Sequence, residues 1–179
     1  MQRIIIAILF LASTSAVDEV CAEDFSAYVD SEGGISLPRD YRSKWTHLGA
    51  WAVPDPKASG AGLHDVFTQP ETVATFKETG RWPDGAVLVK EIRAPVTEEM
   101  TTGLVTYAGD LVQWFVMVKD TEGRFPDSPV WGKGWGWALF LAADPSKNTV
   151  TEYRADCLGC HIPAKSTDWI YVQGYPALK

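Results

Sequence analysis

The pattern of apolar and polar positions divides the chain into two unequal parts. At the start, Met1-Gln2-Arg3 leads into the unbroken apolar run I-I-I-A-I-L-F-L-A, followed by small and polar residues. A positive start, a short apolar run and a small-residue site predict a secretory signal peptide over 1–22, cut after Ala22; Ala16 is an alternative site. The run is too short to span a bilayer, which takes about 20 apolar residues. Beyond it, the pattern is mostly that of strands. Strands are expected over 44–53 (K-W-T-H-L-G-A-W-A-V), at L-H-D-V-F-T, over 86–93 (A-V-L-V-K-E-I-R), and at 104–107 and 111–118. Further strands are expected at 137–141, 149–153 and 169–172. Ala108-Gly109-Asp110 reads as a hairpin turn and Pro95 as a strand end. Pro70, the Val73/Phe76 spacing and Gly80 predict one short amphipathic helix. A helical turn is expected at Pro38–Arg42, and a second short helix near 154–161. The predicted class is α+β: a predominantly antiparallel sheet with a few short helices, in a single domain over 23–179.

Composition refines this picture. A chain of 179 residues suits one domain, and eight tryptophans fit either a dense β core or a cofactor pocket. Removing 1–22 takes away one positive and two negative charges, so the net charge moves from −7 to −6. A mildly acidic surface without basic clusters argues against nucleic acid and against anionic membranes as partners. The same cut removes Cys21 and leaves Cys157 and Cys160, too few for a disulfide framework.

Those two cysteines stand in R-A-D-C-L-G-C-H. Zinc would want a second ligand pair, and only the isolated His47 and His64 remain. A redox dithiol belongs near the start of a βαβ unit, whereas here a strand-rich chain precedes the motif and 18 residues follow it. C-x-x-C-H supplies two thiols for the two vinyl groups of one porphyrin and an adjoining imidazole for its iron. Cys157 and Cys160 are therefore the predicted thioether anchors of a haem c and His161 the proximal iron ligand. No Met follows the motif to close the sixth position, Met117 sits in an apolar strand, and His47 and His64 read first as structural. A five-coordinate haem that binds small molecules follows. Lys90 shares a strand face with Ala86, Leu88 and Ile92; it must snorkel, pair with an acid, or be used chemically.

The blocks R-W-P-D-G-A-V-L-V-K-E-I, G-R-F-P-D, W-G-W-A-L-F and C-L-G-C-H…D-W-I-Y-V-Q-G-Y-P, in that order, resemble the cytochrome P-460 family from about Leu37 to Pro176. The resemblance implies a periplasmic, mostly antiparallel-β homodimer with one haem c per chain. It also implies a covalent bond from Lys90 to a meso carbon of the haem. The activity it implies is oxidation of hydroxylamine to nitrous oxide or nitric oxide, with electrons passed to an external acceptor such as a cytochrome c. A sister group, the cytochromes c-prime-beta, lacks the cross-link and binds nitric oxide under phenylalanines; Phe67 and Phe115 are the candidates for that role here. For proton transfer, His64 is the distal polar candidate, with Asp65 beside it. Asp168 reads as structural.

Overall fold

The computed structural model describes residues 25–179; the expected leader lies outside them. The sheet is antiparallel throughout, with strand order β1-β2-β3-β4-β6-β5 and β7 paired to β6. The strands are β1 (Thr46–Val53), β2 (Gly62–Thr68), β3 (Val87–Met100), β4 (Gly103–Lys119), β5 (Trp131–Gly132), β6 (Trp135–Leu141) and β7 (Asp144–Asn148). Between β2 and β3 lies α2 (Pro70–Thr79), with Pro at its start and Gly80 closing it at φ 69°, as the sequence requires. The other helices are single turns: α1 (Tyr41–Lys44), α3 (Tyr153–Asp156) and α4 (Leu158–His161), followed by a 3₁₀ turn over Ile162–Thr167.

Period-two alternation sends the two side-chain sets of each strand into separate cores. One face buries Val66, Leu88, Met117, Trp135 and Trp137 beneath α2 and the C-terminal segment, with Tyr153, Cys157, Trp169 and Tyr175. The other buries Phe67, Val87, Val89, Val116, Val118 and Phe140 beneath Ile35, Leu37 and Tyr41. The C-terminal segment lies so close to β1 that a side chain at Gly49 would collide with the Gly174 carbonyl.

Several boundaries differ from expectation. β3 runs through Pro95, because register shifts there and no third strand needs the missing N–H. The hairpin turns at Met100–Gly103, whereas 108–110 stays in β4. Residues 149–153 form no strand, since Glu152 caps the N–H of Arg154 and starts α3. At 169–172 extension is broken by positive φ at Asp168 (56°) and Trp169 (69°). The predicted helix at 154–161 is two turns, split at Cys157. The first helical turn begins three residues later than expected, at Tyr41.

Candidate functional site

The register aligns side chains on the first face into rows across the strands. One row carries Leu88, Met117 and Trp137. The next carries Val66, Lys90, Phe115 and Leu139. A third carries Trp51, His64, Ile92, Gln113 and Leu141. Successive rows are two residues apart, about 6.7 Å.

α4 brings His161 to the first of these rows, where its ring meets Trp137 edge-on with centroids 5.0 Å apart. Its Nδ1 lies 2.6 Å from the Trp169 carbonyl oxygen. A carbonyl only accepts, so Nδ1 carries the proton and Nε2 keeps its lone pair. This is the arrangement that fixes tautomer and orientation in metal-binding histidines. Burial lowers the His161 pKa, opposed by that hydrogen bond; the ring is neutral and able to donate. Trp169 reaches this position in a left-handed conformation directly after Asp168. For non-glycine residues this costs roughly 1–3 kcal/mol each.

Cys157 and Cys160 are both free thiols, one buried and one exposed. Burial, and then the nearby Asp156 and Cys160, push the Cys157 thiol up to about 12.

Lys90 occupies the middle row. Desolvation pulls its pKa down to about 8, and charge on Cys160 and Cys157 would act the other way. The Lys90 Nζ sits 4.3 Å from the centroid of the Phe115 ring, its cross-strand partner. Among the described residues no carboxylate pairs with it: its strand neighbour Glu91 points to the opposite face, bound to Tyr41, Arg42 and Arg93.

His64 lies diagonally from Lys90 on the same face, one row further from His161. Its Nε2 is 2.7 Å from the Gly60 carbonyl oxygen, so Nε2 carries the proton. Its Nδ1 is buried and lacks a partner among the described residues. Burial lowers its pKa, which keeps it neutral and basic at Nδ1.

Two expectations need correcting. Phe67 belongs to the other core, packed on Tyr41 and His47; β-alternation puts it on the wrong face to cap this site, whereas Phe115 is on the right one. Asp65 also faces away, 2.9 Å from His47, and reaches His64 only through its charge, a small upward pull on a pKa that burial lowers. Two residues of the site carry no motif in the sequence: Trp137, the surface behind His161, and Trp169, its hydrogen-bond acceptor. Only the tryptophan count hinted at the first, and only the bend reveals the second.

Two thiols, a neutral imidazole with its free nitrogen set by a carbonyl, and an aromatic-walled sheet face form a donor set that fits a haem. Among the described residues no cluster of three His, Cys, Asp or Glu could hold a bare metal ion instead, and no helix is long and apolar enough to cross a membrane. Such a site on an antiparallel sheet defines a β-rich cytochrome. The cytochrome P460 family model matches residues 38–172, and the chain belongs to that family of haem proteins. No curated protein matches the chain.

Proposed function

We propose that this chain is an exported, periplasmic mono-haem c enzyme that oxidises hydroxylamine. The observation that carries the reading is the placement of Lys90 between His161 and His64 on one sheet face, with a lowered pKa and no carboxylate partner among the described residues. Cys157 and Cys160 would hold the haem through thioethers and His161 Nε2 would bind its iron. Bound, the haem would supply an open coordination site for the substrate nitrogen and a path for its electrons.

Oxidation of two hydroxylamines to nitrous oxide and water releases four protons and four electrons. The electrons require an external acceptor such as a cytochrome c. The protons need a base, and His64 Nδ1, buried without a partner among the described residues, is the unprotonated imidazole nitrogen that the iron would leave free. An amine with a pKa near 8 is partly neutral near physiological pH, which suits Lys90 to bonding with a meso carbon. Forming that bond would remove one hydrogen from Nζ and one from the carbon, a two-electron oxidation whose two electrons would pass to an external electron acceptor and whose two protons would go to solvent. A homodimer is part of the proposal. The β3–β4 hairpin overhangs its neighbours and exposes Val96, Met100, Leu104 and Tyr107, apolar area that a second copy would cover.

A second reading, a nitric oxide-binding protein without turnover, is favoured by Phe115 beside Lys90 and by the absence of a carboxylate in these rows. Stopped-flow mixing of the oxidised holoprotein with hydroxylamine and an electron acceptor separates the two. Catalytic reduction of the acceptor supports the enzyme; nitric oxide binding without turnover supports the alternative.

A further inference from the structure

The hydrogen bond from His161 ends on a carbonyl in the least relaxed stretch of the described backbone, and that stretch is held in place from the sheet. Asp168 (φ 56°) and Trp169 (φ 69°) are consecutive left-handed residues without being glycine. Asp tolerates this region, but a tryptophan there is a true outlier. Such a bend persists only where its surroundings over-determine it.

Four contacts do so. Lys119, at the end of β4, places Nζ 2.8 Å from Asp168 Oδ2, with its side chain only 11% exposed. The same ammonium lies 4.9 Å from the centroid of the Trp135 ring. Trp135, fully buried on β6, donates its indole N–H to the Asp168 carbonyl at 3.0 Å. The Trp169 N–H donates to the Ala164 carbonyl at 2.8 Å. The bend is thus tied to β4 and β6, the strands that also carry Phe115 and Trp137. With Asp168 fixed at carbonyl and carboxylate, the next carbonyl, that of Trp169, points at His161 Nδ1.

We infer that Asp168 and Lys119 are positioning residues for the proximal histidine: their ion pair holds the Trp169 carbonyl on His161 and so sets the donor strength of Nε2. A stronger Nδ1–H···O=C bond gives the ring more imidazolate character and makes it a better donor to iron. The inference rests on His161 being the haem ligand. It is independent of the Lys90 bond and of hydroxylamine oxidation.

The test uses the mature holoprotein and its Asp168→Asn and Lys119→Met variants. Asparagine keeps tolerance for the left-handed conformation and removes the charge; methionine keeps the stem over Trp135 and removes the ammonium. The readouts are the iron–histidine stretching band of the reduced protein by resonance Raman, the reduction potential and the melting temperature. Both variants are expected to lower the stretching frequency and raise the potential, because a weaker donor stabilises ferric iron less. As a stability control, Asp40→Asn breaks the Lys44 pair at α1, whose Tyr41 packs in the other core, and should leave band and potential unchanged. Lowered melting with an unmoved band and potential in both variants would overturn the inference and leave the clamp merely structural. If one variant fails to mature, the other decides the matter; should both fail, Asp168→Gly, which accepts the φ but lacks the carboxylate, takes their place. A wild-type protein without an iron–histidine band would instead overturn the haem-ligand reading.

Discussion

Replacing Glu91 with Gln tests how the site's strand is held. Glu91 is fully buried on the face behind Lys90, and its register partner Trp114 adjoins Phe115. Its carboxylate accepts hydrogen bonds from Arg42, Tyr41 and Arg93, and Trp114 donates to Tyr41 at 2.8 Å. Burial alone would raise the Glu91 pKa, but hydrogen bonds from Arg42, then Tyr41 and Arg93, prevail and hold it at about 2, against an ordinary 4.5. That gap corresponds to about 3 kcal/mol. The Arg42 side chain is 49% exposed, and solvent screening trims its share, leaving roughly 2–3 kcal/mol. For a domain of this size the substitution should lower the melting temperature by about 5–10 °C at pH 7. Because the folded pKa is depressed, this stabilisation is complete above about pH 4.5 and is lost as pH falls towards 2. The deficit of Glu91→Gln relative to wild type, followed by circular dichroism melting between pH 7 and pH 2.5, should therefore shrink with acid. A deficit that is absent at pH 7, or constant across the range, would show that the ionised Glu91 carboxylate does not hold this strand.

The remaining predictions concern the site itself. His64→Leu should keep haem attachment and lower turnover on the order of 10²-fold, the usual worth of a general base; unchanged steady-state rates would remove His64 from the chemistry. Since burial lowers the His64 pKa, wild-type turnover should persist below the ordinary histidine range and be lost only as acid protonates Nδ1. Phe67→Leu should cost stability, about 1 kcal/mol or somewhat more, without altering nitric oxide affinity, whereas Phe115→Leu should change that affinity in a titration. Cys160→Ser should leave the haem held by one thioether, read as a shifted pyridine haemochrome band.

Much of this was legible in the sequence because the signals were local. The alternation of β2, β3 and β4, the Pro70 and Gly80 boundaries of α2 and the C-L-G-C-H motif each needed no knowledge of distant residues. Lys90 was visible as a charge on an apolar strand face, and the structure keeps it on that face. What local pattern could not supply was which face each strand turns to the site. Phe67 and His64 are three apart on β2, so one faces the site and the other does not. Nor could it show that β3 and β4 outrun their neighbours, since the Ala108-Gly109-Asp110 signal is equally that of an irregular strand. The bend at Asp168 and Trp169 gave no signal, because Asp-Trp is not a left-handed sequence; contacts from Lys119 and Trp135, over thirty residues upstream, impose it.

In the proposed enzyme Lys90 and the C-L-G-C-H motif serve one haem. Proteolysis of the mature holoprotein followed by mass spectrometry tests it most directly. The expected product is a haem joined at once to the peptide bearing Cys157 and Cys160 and to the peptide bearing Lys90, its mass two hydrogens below the sum of the parts joined by simple addition. Haem found on the cysteine peptide alone, with the Lys90 peptide recovered unmodified, would contradict the cross-link and favour the gas-binding reading.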